Sequence, residues 1–235
     1  MDWNDREILM LGPILDKIWR GLNPTEGKKI LVLCCGSGEM VFWLREKADD
    51  RVEILGLDLR KDLLQKAKDY AKKRGIEDLI EFSVAERYSI PSPDEEFDGL
   101  ISEFVVYPTP EPTEIGQKEM ARVLKGGGRM ILTDIITTKP IPDEVLADLK
   151  TIGLNYLCEA TRDDFRTWMR DAGLENVVIE DLTPIVKEVW KQRQIEDSSP
   201  GRRNGYRMLI DSEEFGLGRA IFYIYVQGEK PVGIR

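Results

Sequence analysis

The residues best placed to do chemistry sit where apolar runs end. Gly36-Ser37-Gly38 follows the run KKILVLCC (28–35) and precedes a helical pattern that starts at about Glu39. Without side chains at Gly36 and Gly38 the backbone can approach a ligand closely, and the first N–H groups of the following helix lack intrahelical acceptors. A tight strand-to-helix turn needs glycine in any case, so this turn alone names no ligand. Asp58 closes the next apolar run about twenty residues later, in GLDL (56–59). An ionised carboxylate only accepts hydrogen bonds, and its two oxygens match the two hydroxyls of a ribose. The pair suits a ribose-bearing cofactor, with nicotinamide and flavin dinucleotides still competing.

What is missing narrows the chemistry further. The chain has no histidine, which excludes Ser-His-Asp, Cys-His and histidine-bound metal chemistry and leaves acid or base work to Asp, Glu, Tyr, Lys or Cys. Cys34, Cys35 and Cys158 have no metal-ligand spacing and form an odd set, so no metal site and no disulfide framework is expected. At the end of a buried strand, Cys34 and Cys35 read as small inert hydrophobes. A net charge of -9 opposes a phosphate backbone and disfavours nucleic acid as a partner. The strip Lys187, Lys191, Arg193, Arg202, Arg203 and Arg207 is the local exception. No long apolar run offers a membrane span, and Asp2, Asp5 and Glu7 do not suit a secretory signal, so a cytoplasmic address is expected.

The elements that must position these residues follow from periodicity. Apolar residues from Ile8 to Leu22 recur at helical spacing, so residues 1–24 read as an N-terminal helix closed by Gly21 and Pro24. Strands are predicted over 28–35, 52–57, 80–84, 99–102, 129–133, 176–182 and 219–226, with helices over 61–74, 114–124, 143–157 and 163–172. Strands alternating with helices give an α/β fold, a doubly wound, seven-stranded, mostly parallel sheet in a single domain over 1–235. The polar segment 183–217 is too long for a plain connection and reads as a substrate cap over the carboxyl edge of the sheet. Phe215-Gly216-Leu217-Gly218 imitates a ligand turn but precedes a strand, so it reads as a turn only. Trp3, Trp19, Trp168 and Trp190 read as packing residues.

Over about 28–134 the motifs resemble the class I S-adenosylmethionine-dependent methyltransferases, especially the small-molecule branch that includes ubiquinone/menaquinone-biosynthesis enzymes. VLCCGSGEM matches the glycine-rich first motif and GLDL the ribose-binding acid; ERYSIP matches the loop after the third strand. EEFDGLISEF matches the fourth strand, and MARVLKGGGRMILTD the helix and strand that follow. The last two matches are the most specific. Cys34 stands where the family usually has an acid, and Met40 where it often has a third glycine.

The resemblance implies S-adenosylmethionine as cofactor and a small molecule as methyl acceptor. It places Gly36, Ser37 and Gly38 along the methionine portion, Asp58 on the ribose and Leu59 on one adenine face. It sets Glu86 on the adenine amino group, the Arg87 backbone on the ring, and the Ser102 backbone near the methionine amine. Glu103, Tyr107 and, from the cap, Tyr206 are candidates for contact with the acceptor. In-line displacement at a sulfonium depends chiefly on positioning, so no catalytic residue is assigned. SEFVVYPTP after the fourth strand lacks the Asn-Pro-Pro-Tyr type of motif and disfavours base and glutamine methylation. The alternatives are an RNA- or protein-modifying methyltransferase and a cofactor-binding regulatory protein without turnover.

Overall fold

The continuous apolar runs become inner strands because helices cover both of their faces. The computed structural model describes residues 12–48, 50–85, 89–103, 116–154, 157–197 and 199–233. Its strands are β1 (Lys29–Leu33), β2 (Glu53–Asp58), β3 (Glu81–Val84), β4 (Phe97–Glu103), β5 (Leu124–Thr137), β6 (Cys158–Glu159), β7 (Glu175–Asp181) and β8 (Ile221–Glu229). They form one sheet in the order β3-β2-β1-β4-β5-β8-β7, with β6 paired to β5. The pairs are parallel except at β8, which runs antiparallel to β5 and β7. Strand order reverses between β1 and β4, which opens a crevice beyond their carboxyl ends, where open α/β sheets bind ligands.

The helices are α1 (Gly12–Leu22), α2 (Glu39–Lys47), α3 (Lys61–Arg74), α4 (Gln117–Val123), α5 (Asp143–Lys150), α6 (Arg162–Asp171), α7 (Thr183–Glu196) and α8 (Arg203–Asp211). One face of the sheet is packed by α1, α2 and α3 together with α5, α7 and α8; the other is packed by α4 and α6. The predicted span of α3 matches because its apolar positions Leu64, Ala67 and Ala71 share one helical face and Gly75, at φ +67°, stops the chain.

Two expectations are corrected. Among the described residues the sheet has eight strands, one more than the seven expected; the extra one, β6, is only two residues long and carries no readable alternation. It forms because Ile136 and Thr137 at the end of β5 offer Cys158 and Glu159 a parallel partner. The helix expected over 143–157 ends at Lys150, since Gly153 takes φ +91° and its N–H returns to the Lys150 carbonyl at 3.0 Å. Trp3 and the rest of the stretch before Gly12 expected to be helical lie outside the described residues.

Segment 183–217 leaves β7 and re-enters β8 at the carboxyl edge, where Asp181 pairs with Ile224 and Thr137 with Ile221. Within it α8 crosses α5 closely at Gly205, where a Cβ would lie 2.6 Å from Thr151 Oγ1. Trp190 of α7 and Tyr206 of α8 pack with ring centroids 6.1 Å apart. No helix among the described residues is long and apolar enough to cross a membrane.

At the opposite end of this layer α1 presses onto β5 and β8 through Ile14, Ile18 and Leu22, all almost completely buried. Gly21 makes the close approach possible: a Cβ there would lie 2.7 Å from Ile131 Cδ1 and run into the Tyr225 hydroxyl. Arg129 donates to the Gly21 carbonyl at 3.0 Å, which ties the helix end to the sheet. Gly21→Ala is therefore expected to destabilise the protein by about 1–3 kcal/mol through overpacking, read as a lower urea midpoint with an unchanged slope.

Candidate cofactor site at the carboxyl edge

The turn after β1 is built from three left-handed residues, Cys34 (φ +53°), Gly36 (φ +56°) and Gly38 (φ +96°). Gly38 caps α2, and its N–H bonds the Cys35 carbonyl at 2.8 Å. The two glycines serve different ends. A Cβ on Gly38 would lie 2.7 Å from the Phe42 ring and 3.2 Å from Ala67, so internal packing demands glycine there. A Cβ on Gly36 would meet nothing nearer than Glu39 Oε2 at 3.8 Å and Leu63 Cδ1 at 4.0 Å. Gly36 therefore leaves an open cradle in which a ligand can reach the backbone.

Asp58, the last residue of β2, is buried to 8% exposure. Its Oδ2 accepts the Gly36 N–H and its Oδ1 the Arg60 N–H, each at 2.8 Å. Its own carbonyl accepts the Ala85 N–H at 2.9 Å. The carboxylate thus fixes the glycine turn and the start of α3 before any ligand is considered. Each oxygen keeps a further lone pair for a hydroxyl donor.

Leu59, beside it, is 50% exposed, a large apolar side chain left at the rim of the crevice. Val84, in register with Asp58 at the end of β3, is also exposed and was missed by sequence reading. Its only sequence signal is a β-branched residue at a strand end. Ser102, in register with Leu33, is buried, and its Oγ has no hydrogen-bond partner.

The structure thus gathers Gly36, Ser37, Gly38, Asp58 and Leu59 at one edge, with Ser102 on the neighbouring strand β4. Glu103 ends β4. Glu86, Arg87 and Tyr107 lie outside the described residues. Tyr206 is placed elsewhere, buried in the α7–α8 layer with its hydroxyl donated to Asp197 Oδ2 at 3.0 Å. Hydrogen bonds from Ser199, then from Tyr206 and Arg202, hold the Asp197 carboxyl well below the usual carboxylate range. Sequence reading also missed Glu39, the first residue of α2, whose Oε1 accepts the Ser37 hydroxyl at 2.6 Å. Its signal was its place directly after the Gly-x-Gly turn.

Burial disfavours the thiolate form of all three cysteines. Burial raises Cys34 and Cys158 to about 12, with Asp58 and Asp134 as the secondary causes. Burial, then Asp58, raises Cys35 as well. Cys34 also holds a backbone conformation that glycine favours, so the position demands a left-handed residue rather than a charge. Trp19 packs edge-on against Trp43 at 6.1 Å and Trp168 against Phe165 at 4.9 Å, as packing residues. Among the described residues no three potential ligands gather to hold a metal ion.

A family described as "Methyltransferase domain" matches residues 24–192, from just before β1 into α7. The chain belongs to this family. The 27-O-demethylrifamycin SV methyltransferase of Amycolatopsis mediterranei is 27% identical over 87% of this chain and 78% of its own length. The ubiquinone/menaquinone biosynthesis C-methyltransferase of Rickettsia rickettsii is 27% identical over 75% of this chain and 81% of its own. Among solved structures, phosphoethanolamine N-methyltransferase 2 of Haemonchus contortus in complex with S-adenosyl-L-methionine superimposes with a TM-score of 0.76 at 16% identity. That match covers 94% of this chain and 52% of the other, so the fold corresponds to about half of that enzyme. The family is S-adenosylmethionine-dependent, and this member has the Rossmann-like methyltransferase fold.

Two outcomes follow for the turn. Cys34→Val should lose about 1–2 kcal/mol, because a β-branched side chain resists positive φ, whereas Cys34→Gly should match or exceed the parent in urea denaturation. Burial pushes the Cys34 and Cys158 thiols up from an ordinary value of 9.0 to about 12. Their burial thus contributes stability that is complete below pH 9 and lost as pH rises toward 12. Denaturation midpoints should fall across that range, and a thiol reagent at pH 8 should label the buried Cys35 and Cys158 only as fast as the native protein opens.

Proposed function

We propose that this methyltransferase moves the methyl group of S-adenosylmethionine onto a small organic acceptor held under the helices of segment 183–217. The observation that carries the reading is the open cradle of Gly36 beside the buried Asp58, at the point where strand order reverses. The cofactor's sulfonium supplies an electrophilic methyl group. Gly36 and Gly38 would hold its methionine portion by backbone contact, the free lone pairs of Asp58 its ribose, and the exposed Leu59 one face of its adenine. Glu86 and the Arg87 backbone would meet the adenine edge, and the Ser102 backbone the methionine amine.

The chain's part in the reaction is then positioning. A nucleophile held in line with a sulfonium methyl needs little further activation, which agrees with the absence of histidine. α5, α7 and α8 share an apolar core cluster with α1, which supports a firmly packed roof over the proposed acceptor site. Glu103, the last residue of β4, and Tyr107 beyond it in the sequence are the side chains proposed to touch the acceptor. Tyr206 is proposed to act through the shape of the α7–α8 layer, since its hydroxyl is already bonded to Asp197.

The basic strip is proposed to be a solvated surface rather than a nucleic-acid contact. Lys191 pairs with Glu188, Arg202 with Asp197, and Arg193 lies 4.9 Å over the Trp190 ring. Two of its six charges are therefore paired within the chain.

Calorimetric titration with S-adenosylmethionine and S-adenosylhomocysteine, with NADH as control, tests the reading. Both sulfur compounds should bind and NADH should not. Asp58→Ala should lose about 1–3 kcal/mol of binding free energy, and Asp58→Asn a smaller part. Binding of NADH alone, or full affinity in a folded Asp58→Ala protein, would refute it. Transfer of a labelled methyl group to members of an acceptor panel would then identify the substrate class.

A further inference from the structure

Two carboxylates flank the glycine turn, and the ribose role uses only one. Glu39 lies in the first turn of α2 with Oε1 held by the Ser37 hydroxyl at 2.6 Å. Its second oxygen borders the Gly36 cradle, 3.8 Å from where a side chain at that position would begin. A ligand that enters the cradle to reach the Gly36 backbone therefore meets Glu39 Oε2. Neither Glu39 nor Asp58 forms an ion pair with a lysine or arginine among the described residues, although salt bridges are frequent elsewhere on the chain. Negative charge at a ligand cradle with no cation of its own favours a positively charged ligand group.

We propose that the Glu39 carboxylate is the counter-charge for the cationic methionyl end of the cofactor. The proposal rests on the methyltransferase reading and adds to it a recognition residue for charge. S-adenosylmethionine offers two positive groups, the sulfonium and the α-ammonium, and either can face an oxygen fixed at the cradle. Ser37 is then a positioning residue, since its hydroxyl sets which oxygen of Glu39 turns inward. An acid in the first helical turn also stabilises α2 through the helix dipole. That role would shift the melting temperature of a variant but not its ranking of ligands.

Glu39→Gln separates the two, because the amide oxygen still accepts the Ser37 hydroxyl while the charge is gone. Isothermal titration of the full chain with three ligands reads the result: S-adenosylmethionine, S-adenosylhomocysteine, which keeps only the ammonium, and 5′-methylthioadenosine, which carries neither charge. Glu39→Gln should weaken S-adenosylmethionine by about fivefold, the scale of a partly exposed charge pair, and leave 5′-methylthioadenosine unchanged. The difference between parent and variant should shrink in high salt. A parallel loss for S-adenosylhomocysteine places the contact on the ammonium; an unaltered S-adenosylhomocysteine affinity places it on the sulfonium. Ser37→Ala, which keeps the charge but frees its orientation, should cost about twofold.

Equal weakening of 5′-methylthioadenosine, or full affinity of Glu39→Gln for S-adenosylmethionine, would overturn the proposal. A parent protein that bound none of the three would fail the cofactor reading itself, independently of Glu39.

Discussion

Everything at the ligand edge depends on one buried carboxylate. Asp58 takes the N–H of Gly36 on one oxygen and that of Arg60 on the other, so it fixes the turn after β1 and the first turn of α3 together. Burying a charge is costly unless its hydrogen bonds are met. Here backbone N–H groups meet them without a neutralising cation. The arrangement keeps Gly36 in its left-handed conformation and its open face toward the crevice. The same residue is thus a structural clasp and a proposed ligand group, and its structural task comes first.

A second constraint joins the two ends of one apolar layer. α1 reaches the sheet because Gly21 has no side chain to strike Tyr225 and Ile131, and α8 reaches α5 because Gly205 has none to strike Thr151. Both helices contribute to the same buried cluster on the same face. The helices of segment 183–217 are therefore a continuation of the core rather than an appendage. Asp197 binds Arg202, Tyr206 and the Ser199 backbone, and so fixes the joint between α7 and α8.

The most recognisable stretch of the sequence, ARVLKGGGR, lies away from the proposed cofactor site. Phe97 pairs with Leu124 and Gly99 with Arg129 at the amino ends of β4 and β5, and the three glycines between them bulge outward. A Cβ on Gly126 would lie 3.2 Å from the Pro231 carbonyl, and the Gly127 N–H bonds the Lys230 carbonyl at 2.7 Å, so the glycines dock the C-terminal segment. Arg122 clamps Glu119, Asp94 and the carbonyls of Ile90 and Ser92, fixing the loop that enters β4. The family signature is thus largely a folding signature, and the proposed cofactor site lies at the opposite edge, in the shorter and less distinctive turn.

The fold was legible because the inner strands are continuous apolar runs and α3 has a clean helical period with a glycine stop. Gly36, Gly38 and Asp58 were legible because they fall at strand ends, where a parallel sheet must place its ligand groups. The two-residue β6 was not, since it exists only through its pairing with β5. Val84 and Glu39 were not singled out, because exposure at a strand end and the direction of a carboxylate are set by neighbouring strands and by the Ser37 hydroxyl. Sequence alone thus determined the alternation of strands and helices, the family and the cradle residues, all of which local pattern encodes. Only the tertiary structure decided that Asp58 organises the turn it serves, that Tyr206 is bonded within its own layer, and that Glu39 borders the cradle. Each of these depends on contacts between segments whose separation along the chain carries no periodic signal.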